Sequence, residues 1–100
     1  MATVTFTTAG GTVYAHLAGE IDHDSAQNLR LSIDALVSQS MPQQLVLDFS
    51  GVGFMDSSGV GLILGRQRRV QALGGSLQIQ YPPRQIQKLL QLAHIQTMEV

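Results

Sequence analysis

Cysteine is missing from all 100 residues. That excludes disulfides and thiolate metal sites, and it fits a reducing compartment. Charge is also scarce. Only 13% of residues are Asp, Glu, Lys or Arg, and the formal net charge is −1. Nothing in that balance steers the whole chain to nucleic acid. The start, MATVTFTTAGG, lacks a basic stretch followed by an apolar run, so no secretory signal is expected there. No apolar run approaches the roughly 18 residues of a membrane-spanning helix. What is present is a core: 44% of residues are hydrophobic, which sets the chain apart from disordered sequences. The expectation is one cytoplasmic domain over residues 1–100, with a neutral, glutamine-rich surface.

Along the chain, Val4, Phe6 and Thr8 alternate with Thr3, Thr5 and Thr7. After the turn signal Ala9-Gly10-Gly11, Val13, Ala15 and Leu17 alternate with Tyr14, His16 and Ala18. Together these predict a β-hairpin. The alternation breaks at Gly19-Glu20-Ile21-Asp22-His23-Asp24. Asp22 and Asp24 are both candidate helix N-caps, and Asp24 with Gln27 resembles a capping box. Ala26, Leu29, Ile33, Leu36 and Val37 then mark one face of a helix that ends before Pro42. Leu45–Phe49 reads as a strand covered on both faces. The segment 50–55 reads as a loop with an apolar tip, followed by a helix from about Ser57 to Leu73 that stops at Gly74-Gly75. Ser76–Gln80 reads as a strand. Pro82-Pro83 opens a last helix, with Ile86, Leu89, Leu90 and Ala93 on its apolar face. Ile95–Val100 reads as a short final strand. The order is β-β-α-β-α-β-α-β. It predicts an α/β fold: a mixed, mostly parallel sheet with an N-terminal hairpin and helices packed on it.

The chemistry concentrates in Phe54-Met-Asp-Ser-Ser-Gly-Val-Gly-Leu-Ile-Leu-Gly-Arg66. His16, His23 and His94 sit on different elements without ligand spacing, so no metal site is expected. Ser57 and Ser58 stand at a strand-to-helix turn, but Met-Asp-Ser-Ser-Gly is not the Gly-x-Ser-x-Gly nucleophile elbow. Gly59-x-Gly61-x-x-x-Gly65 is neither a dinucleotide fingerprint nor a P-loop. No catalytic residue and no cofactor is expected. An Asp56 or Ser57 cap accounts for one polar residue but not for the glycines, each of which costs a helix interior about 1 kcal/mol relative to Ala. Two explanations stand for them: close packing of the helix on its own sheet, or a low surface that receives a partner. A serine at a helix start also suits a phosphoryl switch, because phosphorylation brings about −1.5 to −2 charges to a neutral hydroxyl.

Three stretches carry a family resemblance: Gly19-Glu-Ile-Asp-His-Asp-Ser-Ala26, Leu45-Val-Leu-Asp-Phe49 and the Phe54–Arg66 motif. They resemble STAS-domain anti-sigma factor antagonists, the sporulation type that opposes an anti-sigma kinase. Gly74–Ile79 and Pro82–Leu90 continue in register, so the likeness covers essentially the whole chain. The resemblance implies a STAS fold and a regulator that is not itself an enzyme. Its unphosphorylated form would bind an anti-sigma factor that is also a serine kinase of the GHKL ATPase type, freeing the sigma factor. The kinase would then phosphorylate the first serine of Asp-Ser-Ser-Gly, here Ser57, with Ser58 as the alternative. A PP2C-type phosphatase would reset it. The implied docking surface comprises Asp22, Met55, Asp56, Ser57, Ser58, Gly59, Gly61 and Arg66, with Asp22 opposite an arginine of the kinase. No nucleic acid or membrane partner is implied. Members of the family continue past the position of Val100 into a further helix, and some STAS domains are non-phosphorylated interaction modules of stressosomes or lipid transporters.

Overall fold

The computed structural model describes residues 1–95. The final strand expected over Ile95–Val100 therefore lies, apart from Ile95, outside the described residues.

The hairpin forms as its alternation dictates. Strands β1 (Ala2–Ala9) and β2 (Thr12–Ile21) pair antiparallel with Ala9 opposite Thr12. The two-residue turn has Gly10 at φ +56° and Gly11 at φ +84°, the left-handed conformations a type I′ turn requires. Helix α1 (His23–Ser40) leads to β3 (Gln44–Met55), helix α2 (Ser57–Ala72) to β4 (Ser76–Gln80), and α3 (Arg84–Leu92) follows. The sheet order is β1-β2-β3-β4, with β2, β3 and β4 mutually parallel.

Register assigns the sheet's two faces. Val13, Ala15 and Leu17 share a face with Leu45, Leu47 and Ile79, and all are buried. Onto them pack Leu29, Ile33 and Val37 of α1, Leu62, Ile63 and Val70 of α2, and Ile86 and Leu90 of α3. The opposite face carries Thr5, Tyr14, His16, Asp48, Gln78 and Gln80, with Val46 buried between Tyr14 and Gln78 in register. On that face His16 Nδ1–H donates to Asp48 Oδ2 at 2.8 Å, and His16 Nε2 lies 2.9 Å from the Thr7 hydroxyl. Burial pushes the Asp48 carboxyl up, but the bonds from His16 and from the Ser50 N–H outweigh it and hold the group below the usual range.

Two expectations need correction. The alternation does break at Gly19, but β2 does not end there, and residues 50–55 are strand rather than loop. The cause is a pair of register shifts, between His16 and Ala18 and between Gly19 and Glu20. At each, β3 carries one residue more than β2, so its 12 residues lie beside ten of β2. Phe49, Val52 and Met55 consequently reach the core at three-residue steps, a spacing that a search for period two reads as irregular.

Candidate functional site: the carboxyl ends of β2 and β3

The bulges bring β2 and β3 to the same level, with Glu20 beside Phe54 and Ile21 beside Met55. A single aspartate follows each strand, and a helix follows each aspartate. The Asp56 N–H donates to Ile21 O at 3.2 Å, which locks the two junctions together. This is the edge of a parallel sheet where α/β proteins place their binding sites.

At the first junction Asp22 caps α1. Its Oδ1 accepts from the Ser25 N–H at 2.9 Å, and the Ser25 hydroxyl accepts from the Asp22 N–H at 2.9 Å. The capping box is thus Asp22–Ser25, not Asp24–Gln27. Because β2 persists to Ile21, the helix starts at His23, and Ser25 falls at the third helical position. Ser25 is buried, and its hydroxyl also lies 3.1 Å from Glu20 O. The Ser25 N–H first, and its hydroxyl second, hold the Asp22 carboxyl below its usual range.

At the second junction Asp56 caps α2, with Oδ1 accepting from the Ser58 N–H at 2.8 Å. Ser57 is the first helical residue and is exposed, and its hydroxyl has no partner among the described residues. Ser58 is half-buried. The glycines divide between the two explanations. A Cβ on buried Gly59 would strike Cγ and Sδ of Met55, so Gly59 serves internal packing. A Cβ on Gly61 or Gly65 would meet nothing within 4 Å. Those two border an open groove of about 320 Å³ between α1 and α2, with His23 and Arg30 on its other wall.

The expected docking residues accordingly fall into two sets. Asp22, Asp56, Ser57 and Ser58 gather at the paired junctions, and Gly61 faces outward. Met55 is buried beneath Gly59. Arg66 is only 8% exposed. Its Nε lies 2.7 Å from Asp34 Oδ1 of α1, so this arginine ties the two helices together. Burial lowers its pKa, and Asp34 opposes that shift. Arg69 approaches the same oxygen at 3.7 Å and donates to the Ser38 hydroxyl. Sequence reading missed Asp34, a half-buried carboxylate beside the core residue Ile33 of α1 that turns toward α2. It also missed Phe54, which is 50% exposed beside this edge. The hydroxyl–imidazole–carboxylate chain that the structure does contain uses Thr7, His16 and Asp48, not Ser57.

Comparison with known proteins places these features in context. A family model described as "Mlab, STAS domain" matches residues 4–99. The anti-sigma F factor antagonist of Lysinibacillus sphaericus is 37% identical over 82 residues, which cover 82% of this chain and 70% of that protein. The anti-sigma F factor antagonist of Paenibacillus polymyxa is 33% identical over 69 residues, covering 69% of this chain and 59% of that protein. Among solved structures, the anti-sigma factor antagonist SpoIIAA in its unphosphorylated form aligns with a TM-score of 0.83 at 28% identity, covering 97% of this chain and 89% of that one. The phosphorylated form of Bacillus SpoIIAA aligns with a TM-score of 0.76 at 28% identity, covering 97% of this chain and 92% of that one.

Proposed function

The chain belongs to the STAS-domain family, and from that premise we propose that it acts as an anti-sigma factor antagonist whose phosphate acceptor is Ser57. The observation that carries this reading is the contrast within Asp56-Ser57-Ser58. Ser57 is exposed at the first position of α2 with no partner for its hydroxyl among the described residues, while Ser58 is half-buried and its N–H is taken by Asp56. A kinase reaches the first without moving the backbone.

In this reading the unphosphorylated domain binds an anti-sigma factor and so releases the sigma factor. The anti-sigma factor is a serine kinase of the GHKL type. The Ser57 hydroxyl oxygen attacks the γ-phosphorus of ATP, the bond to the β–γ bridging oxygen breaks, and the hydroxyl proton leaves to a base or water. The product carries about two negative charges beside Asp56, at a helix start whose dipole Asp56 already caps. It also confronts the phosphates of the nucleotide that remains in the kinase. Like charges at that range oppose rebinding. A PP2C-type phosphatase, working with Mn²⁺ or Mg²⁺, removes the group. The chain is then a substrate of regulatory enzymes and not a catalyst.

The test is incubation with the cognate anti-sigma kinase and ATP, read by intact mass. The native chain gains one phosphate and Ser57→Ala gains none. Stoichiometric phosphorylation of Ser57→Ala moves the acceptor to Ser58. A second reading is a non-phosphorylated STAS interaction module, a stressosome or lipid-transport accessory subunit, since the family model matched is described by its STAS domain and not by a phosphorylated antagonist. It prevails if the native chain gains no phosphate from any sigma-regulating kinase.

A further inference from the structure

Phe54 stands half-exposed, while its neighbours in β3, Val52 and Met55, are 2% and 7% exposed. The second bulge causes this. It inserts Gly53 opposite no residue of β2, and so turns Phe54 outward beside exposed Glu20. Phe54 is three residues from Ser57, so their Cα atoms lie within about 11 Å of each other. The same sheet edge carries three carboxylates: Glu20 is the register partner of Phe54, and Asp22 and Asp56 follow the ends of β2 and β3 as the caps of α1 and α2. No Lys or Arg occurs in residues 17–29 or 50–65.

We infer that Phe54 is the apolar anchor with which this domain docks on its kinase, seated in an apolar recess whose rim is basic. The inference rests on the function proposed above and adds a residue and a partner chemistry to it. A kinase that docks on this end of the sheet to bring a γ-phosphate to Ser57 covers an area wide enough to include Phe54, three residues away. An aromatic side chain buried at the centre of an interface carries a large share of the binding energy, and rim charges act mainly on the association rate. The acidic rim calls for Arg or Lys on the partner. Binding through Phe54 is also indifferent to charge, so the phosphate on Ser57 controls docking without competing for the anchor.

The experiment measures binding and phosphorylation of Phe54→Ala, Phe54→Leu and Leu92→Ala by the cognate anti-sigma kinase. Leu92 is 80% exposed at the far end of α3 and serves as a control for general stickiness. Phe54→Ala is expected to raise Kd tenfold or more, through faster dissociation, and to raise KM for phosphorylation with kcat unchanged. Phe54→Leu keeps most of the affinity. Added salt slows association of the native chain and of Phe54→Ala alike, leaving their Kd ratio unchanged. Circular dichroism and thermal midpoint verify that each variant is folded. A Phe54→Ala affinity within twofold of native overturns the inference, and so does an equal loss in Leu92→Ala. A native chain that neither binds the kinase nor gains phosphate overturns the proposed function, and the anchor with it.

Discussion

The starts of α1 and α2 are built alike and exposed differently. Each follows a parallel strand, each is capped by one aspartate, and each has a serine in its first turn. In α1 the serine is buried and bound to its cap from both sides. In α2 the first serine is exposed and unbound among the described residues, and the cap bonds to the backbone of the next. The difference is one of position. Ser25 lies at the third helical residue, where the helix turns it back toward Asp22 and the strand end. Ser57 lies at the first, where it points away. The same residue type therefore closes one junction and leaves the other open to solvent.

Exchanging the serines for alanine gives the largest separation. Ser57→Ala is expected to lose phosphate uptake completely with an unchanged thermal midpoint. Ser25→Ala keeps phosphate uptake and loses about 1–2 kcal/mol of stability by denaturant unfolding, because a buried cap bond goes. Next come the glycines of α2. Gly59→Ala costs about 1–3 kcal/mol, since buried Met55 must move. Gly61→Ala, with open space around it, gains about 1 kcal/mol in the same assay, and it weakens kinase binding if the low surface is used. Loss of either cap follows: Asp56→Ala costs about 1 kcal/mol, and Asp22→Ala lowers the denaturant midpoint further because it also strands the Ser25 hydroxyl.

The smallest effect concerns acid. The Asp22 and Asp48 carboxyls both sit below the ordinary aspartate value of 3.8. A carboxyl depressed on folding stabilises the fold above its unfolded pKa. That contribution is lost as pH falls through the still lower folded value. Denaturant midpoints measured down through pH 3.8 are expected to decline. Asp22→Asn, which keeps a good cap and removes the titration, leaves the neutral midpoint little changed and makes the acid limb shallower.

Much of the fold is legible in the sequence. The hairpin and its Gly10-Gly11 turn follow from period-two alternation and from residues that tolerate positive φ. The helix from Ser57 ends within one residue of its expected end, because Gly74-Gly75 is an unambiguous stop. The ends of β2 and β3 are illegible for a definite reason. Bulges are pairing events between strands distant in sequence, and each converts an alternating pattern into an irregular one. The Asp22–Ser25 box is hidden by the same cause, since a strand expected to stop at Ala18 shifts the expected cap. Of the site, the Asp-Ser-Ser-Gly motif and Asp22 are legible, whereas the burial of Met55 and Arg66 is not.

The chain's own order of residues decided what is local: which segments turn, which become strand or helix, and that an Asp-Ser-Ser-Gly motif opens the second long helix. Local sterics and hydrogen bonds act over a few residues, so these choices are written where they act. Burial is not local. Whether Gly59 or Gly61 is crowded, whether Arg66 meets solvent or Asp34, and whether Phe54 or Met55 faces outward depend on which strand lies alongside and where its bulges fall. Packing among distant segments settled those choices, and with them which side chains of the sheet edge meet solvent.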